Sequence, residues 1–149
     1  MGALFGYYAA ADDEDAVRAA VREDGQPMGT GYDSFVVKGL DPVVELLPAE
    51  VLVTGRTADA VESDPRHGHV VGMAGDGEVV TLSLTDSFRD SLGRFDRKQL
   101  GEVVRGWSTS SVFSAQSDLS GLTGFLEDLA ALAERALVRG HRLYCWISV

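Results

Sequence analysis

The closing stretch of the chain does most to limit what it can fold into. Leu122, Phe125, Leu126, Leu129, Leu132, Ala133, Ala136 and Leu137 recur at three- and four-residue spacing, which lays one apolar stripe along a long helix. Gly140 follows, where a left-handed residue ends a helix of this kind, and RLYCWISV closes the chain. In an extended segment Leu143, Cys145, Ile147 and Val149 point one way, and Tyr144, Trp146 and Ser148 the other. A strand apolar on both sides belongs in the middle of a sheet covered on both faces. The end of the chain therefore predicts a sheet with an interior last strand and a long helix packed on it.

The rest of the chain supplies the remaining layers. LFGYYAA reads as a first strand, also interior. DDEDAVRAAVREDG reads as a helix, with acids crowding its first turn, Val17 and Val21 on one face, and Gly25 at its end. Residues 26–34 are turn chemistry, and FVVKGL is a strand. Asp41-Pro42 opens a short helix through VVELL, which Pro48 breaks or restarts. Residues 55–68, without apolar periodicity, are expected to be a surface loop. VVGM and EVVTLSL flank AGDG as a hairpin. Thr85 caps a helix with Phe88 and Leu92 on one face. Asp96 to Gln99 matches a capping box that opens another helix, with Leu100, Val103 and Val104 inward. No repeat or linker divides the chain. The expected fold is a single α+β domain over residues 1–149, with a mixed or mainly antiparallel sheet packed by the long C-terminal helix and several short ones.

Charge is distributed unevenly. Residues 1–64 carry 13 acids and 4 bases (−9), and residues 65–149 carry 10 and 9 (−1), which sum to the net −10. That field repels phosphates and argues against nucleic-acid binding, while it attracts a basic protein partner. No run approaches the ~20 apolar residues of a membrane span. The N-terminus lacks a basic n-region, and glycine at residue 6 fails the acylation pattern, so a cytoplasmic location is expected.

Candidate chemistry is sparse. His67 and His69, if extended, would project to one face and could chelate a metal with Asp64, Asp76 or His141. The competing reading of ESDPRHGHVVGMAGDG is a loop and hairpin with polar residues at its mouth. GMAGDG matches neither dinucleotide nor P-loop spacing, and its aspartate puts negative charge where a phosphate would sit. There is no nucleophile elbow, and the hydroxyls of Ser108 to Ser111 have no local base. Cys145, the only cysteine, lies in an apolar run and reads as a buried hydrophobe. Tyr7, Tyr8, Trp107, Tyr144 and Trp146 are either core or the lining of a ligand pocket. For Trp107 the favoured role is an anchor for its loop.

Three stretches carry a family resemblance. MGALFGYYAA followed by an acidic helix start, LSLTDSFRDSLGRFDRKQL, and FLEDLAALAERALVRGHRLYCWISV together resemble the YfbM-like family of small bacterial proteins. FVVKGLDPVVELLPAEVLVTG departs from that family's tryptophan-containing helix, because it holds no tryptophan and Pro48 separates Leu47 from Thr54. The resemblance implies architecture and brings no catalytic residues.

The leading expectation is a non-enzymatic cytoplasmic interaction or regulatory module. Its acidic N-terminal half meets a basic partner, in the manner of a toxin-neutralising protein, and no cofactor is involved. The alternatives are a small-ligand-binding protein using the aromatic pocket and, after it, a metal-dependent hydrolase built on His67 and His69.

Overall fold

A computed structural model describes residues 3–110 and 119–149. In chain order the elements are β1 (Leu4–Ala10), α1 (Asp13–Ala20), β2 (Ser34–Lys38), α2 (Leu47–Thr54), α3 (Ala58–Glu62), β3 (Val70–Ala74), β4 (Val79–Ser83), α4 (Asp86–Leu92), α5 (Arg97–Ser108), α6 (Leu119–Arg139) and β5 (Arg142–Ser148). The strands form one five-stranded sheet in the order β2-β1-β5-β4-β3, with every pairing antiparallel. The first and last strands are thus both interior, and the fold is the α+β domain expected from the sequence.

Alternation along β5 decides the two faces. Leu143 and Cys145 join Phe5, Tyr7 and Ala9 of β1 in a large core, closed by α2, α4, α5 and α6. Tyr144 and Trp146 turn the other way with Tyr8 and Ala10, into a smaller core under Ala16, Ala19 and Ala20 of α1. Burying one large apolar side chain contributes about 1.5–3 kcal/mol. The helical face, with far more such side chains, therefore supplies most of the burial.

Local signals set the ends of the elements. α6 stops in a Schellman motif: Gly140 has φ 69°, its N–H donates to the Leu137 carbonyl (3.2 Å), and the His141 N–H donates to that of Ala136 (2.8 Å). Thr85 caps α4 through the Phe88 N–H (3.2 Å). The capping box of α5 is complete, with Gln99 N–H on Asp96 (2.8 Å) and Asp96 N–H on Gln99 (2.9 Å). Between β3 and β4 the hairpin turns through a single 3-10 turn, Gly75–Gly77.

Two expectations need correction. Residues 42–45 form a turn rather than a helix, with the Asp41 carboxylate accepting the N–H groups of Val43 (2.6 Å) and Val44 (2.9 Å). A helix running through them would meet Pro48, which has no N–H and whose ring crowds the carbonyl four residues back. The helix starts at Leu47 instead, with the proline at its first turn. Residues 55–68 are not all loop either. They contain α3, capped by Thr57 on the Ala60 N–H (3.1 Å) and anchored by the buried Val61. A five-residue helix is too short to show a period in sequence.

Candidate functional site

The aromatic candidates lie inside the two cores. Tyr7, Tyr8, Trp107, Tyr144 and Trp146 are all buried, and each hydroxyl has a protein acceptor. Tyr7 donates to the Leu40 carbonyl, Tyr8 to that of Ala16 (2.6 Å) and Tyr144 to the Asp13 carboxylate (2.7 Å). Burial pushes all three phenols above their ordinary value, and for Tyr144 the Asp13 charge adds to the effect. Trp107 anchors the end of α5, donating from Nε1 to the Glu45 carbonyl (2.7 Å). None of the five lines the open surface cavities at α1, at the α5–α6 groove or at the α2–α5 groove, of about 490, 390 and 270 Å³. Cys145 is buried as well, and burial raises its thiol well above the ordinary value. Ser108–Ser110 lie at the end of α5 and the turn after it, while Ser111 falls outside the described residues.

The geometry assumed for the two histidines is not adopted. Residues 65–68 are a turn, in which the His67 N–H donates to the Asp64 carbonyl (3.0 Å). His69 lies beyond that turn, exposed and just ahead of β3. Only an extended backbone would project the two imidazoles to one face. Asp64, the proposed third ligand, takes Arg56 Nη1 at 3.1 Å and the Arg66 N–H at 2.9 Å. Among the described residues no group of three or more His, Cys, Asp or Glu could hold a metal ion. The mouth-of-hairpin reading fits this segment.

The structure assembles a charged cluster that sequence reasoning missed. At one end of the sheet the Arg66 guanidinium lies 5.6 Å from the centroid of the Tyr144 ring and donates to Asp13 (3.0 Å). Asp86 stands between Arg66, Arg89 and Arg142 at 3.9, 3.8 and 3.6 Å. Arg89 donates in turn to the His141 carbonyl (2.8 Å). Partial burial alone would raise the Asp13 carboxyl, but hydrogen bonds from Arg66 and Tyr144 outweigh it and hold the group below its ordinary value. Three arginines are matched by Asp13, Asp86 and Asp90, so the cluster is a clamp joining α1, the 64–68 turn, α4 and β5. Arg66 and Asp13 are 53 residues apart, and Tyr144 and Asp13 are 131 apart, so no local pattern announces the clamp.

Most of the N-terminal acids fall into two sets. Asp13, Glu14, Asp15, Asp24 and Asp33 are consumed in ion pairs, and Asp33 reaches Arg135 in α6 at 2.5 Å. A second set gathers around α2 and α3: Asp41, Glu45, Asp59, Glu62 and Asp64, with Arg56 as their ion-paired base. The 41–45 turn lies against the 64–68 turn there, since a Cβ added at Gly68 would meet Val43 at 2.6 Å. His67 sits among Glu62, Asp64 and Asp41, yet burial outweighs their pull and lowers its pKa, which leaves the imidazole neutral at pH 7. Beside them Val44 is 58% exposed. Glu50, the acid of α2, is buried and accepts a hydrogen bond from Thr85 (2.7 Å).

No family model matches this chain, nor does any curated protein or solved structure. No helix among the described residues is long and apolar enough to cross a membrane.

Proposed function

We propose that the protein is a non-enzymatic interaction module that binds a basic protein partner through the acidic surface formed by the 41–45 turn, α3 and the turn that follows it. One observation carries the reading. Asp41, Glu62 and Asp64 converge on His67, which burial keeps uncharged, so Arg56 is left to offset the local negative charge. The exposed Val44 gives a partner an apolar foothold within the same face. A surface of this kind steers a cationic partner into contact and loses its grip as salt rises. The cytoplasmic, toxin-neutralising or regulatory role belongs to this reading. So does the likeness to YfbM-like proteins, which contributes architecture rather than activity.

The test is a pull-down with the wild-type chain and the Asp59→Lys/Glu62→Lys variant in parallel. Both residues are exposed on α3, so their reversal leaves the cores untouched. A basic protein retained by the wild type, released by salt and lost from the variant is the expected result. Equal recovery on both, or nothing that salt releases, overturns the proposal.

A further inference from the structure

Glu50 stands in the first turn of α2 with 2% of its surface exposed, where an ionised carboxylate is costly unless a counter-ion touches it. The nearest base, Arg56, is committed elsewhere: Nη1 donates to Asp64 (3.1 Å) and Nη2 to the Ala60 carbonyl (3.0 Å). The charged groups acting on Glu50 are Arg56, just past the end of α2, and Asp64, in the turn after α3, and these oppose one another. From α4 comes only the Thr85 hydroxyl, which donates to Glu50 Oε2 (2.7 Å) while accepting the Phe88 N–H (3.2 Å) that caps the helix. No titratable group of α5 or α3, the other helices packed on α2, is among those acting on Glu50. The carboxyl therefore joins the first turn of α2 to the cap of α4 without an ion-pair partner among the described residues.

We propose that Glu50 is a proton-operated pin: uncharged, it seats α2 on the N-terminus of α4, and on ionising it loosens that seat. The inference stands apart from the interaction reading, because it concerns how α2 is held rather than what the acidic surface meets. Burial raises the Glu50 carboxyl above its ordinary value near 4.5, with Asp64 adding to the rise and Thr85 and Arg56 opposing it. The sign follows. The folded state holds this proton more tightly than the unfolded state, so the contribution is full below the ordinary value. It declines as pH rises and is gone above the raised folded value.

Backbone amide exchange of α2, compared between wild type and Glu50→Gln at each pH, cancels the intrinsic pH dependence of exchange. The wild-type to variant rate ratio for Val53 and Thr54 is expected to climb by up to about tenfold per pH unit above the ordinary carboxyl range, then level off. Amides of α1, on the opposite face of the sheet, that open by local fluctuation are expected to keep a constant ratio, whereas amides of the central strand β5 that open only on global unfolding share the climb, because that unfolding also releases Glu50. A flat ratio in α2 overturns the pin, and an equal climb in the locally opening amides of α1 overturns its local action. Carbon-13 titration of the Glu50 carboxyl in the wild-type protein needs no variant. Its midpoint is expected above the ordinary value and coincident with the wild-type change in α2 exchange beyond the intrinsic dependence. A midpoint at the ordinary value, or one separate from that change, overturns the proposal.

Discussion

The two faces of the sheet are closed by different means. On the helical face Trp107, Phe125, Leu126, Leu129 and Leu132 interlock with Tyr7, Leu143 and Cys145, so stability there is a matter of apolar area and fit. The opposite face has one eight-residue helix whose buried residues are alanines. It is closed by close approach instead. A Cβ on Gly6 would lie 2.0 Å from Trp146 Cε2, so the indole lies directly over the β1 backbone. A Cβ on Gly72 would lie 2.8 Å from Val17 Cγ2, which is how α1 comes down onto β3. Buried phenols then fasten this face, Tyr8 to Ala16 and Tyr144 to Asp13. The contrast shows that a thin layer can seal a sheet when missing side chains permit contact and hydrogen bonds hold it.

Three substitutions probe that contrast, in descending order of effect. Trp107→Ala should cost about 3–5 kcal/mol in chemical denaturation, as removal of a large core aromatic does. A loss below 1 kcal/mol would mean that the helical face does not depend on fit. Gly6→Ala should cost about 1–3 kcal/mol, toward the upper end, because β1 is interior and the Trp146 indole has to move. The tryptophan emission should shift with it, and an unchanged spectrum would deny the close-approach account. Tyr144→Phe should cost about 1.5 kcal/mol, the low end for a hydrogen bond to a charged group, because the Asp13 side chain is 44% exposed. It should also raise the Asp13 pKa measured by NMR, since that bond helps to hold the carboxylate ionised. If Tyr144→Phe proved as damaging as Trp107→Ala, the thin face would be the stronger of the two.

Much of the architecture was legible because its signals are local. The stripe from Leu122 to Leu137, the Gly140 stop and the Asp96–Gln99 box each involve residues within a few turns of one another. The alternation in RLYCWISV told which side chains share a face, and two apolar faces placed that strand inside the sheet. The segment around Pro48 was misread because a capped turn and a first helical turn use the same residues, and α3 was missed because its stripe is a single buried valine. The candidate site was less legible. Composition reported the acids of the first half but not that Asp33 is spent on Arg135, 102 residues away, while Asp59 and Glu62 stay exposed.

By itself, then, the sequence determined most of the secondary elements, though not α3 or the turn before Pro48, and it determined the double-sided burial of β5, because those depend on neighbours along the chain. Tertiary structure alone decided which charges neutralise each other, which aromatics reach water and that Glu50 lies buried beside Thr85. The physical reason is that burial and charge pairing depend on distance in space. In this fold the pairs that matter, such as Asp13 with Tyr144 and Asp33 with Arg135, are brought together only when the sheet and its two covering layers close.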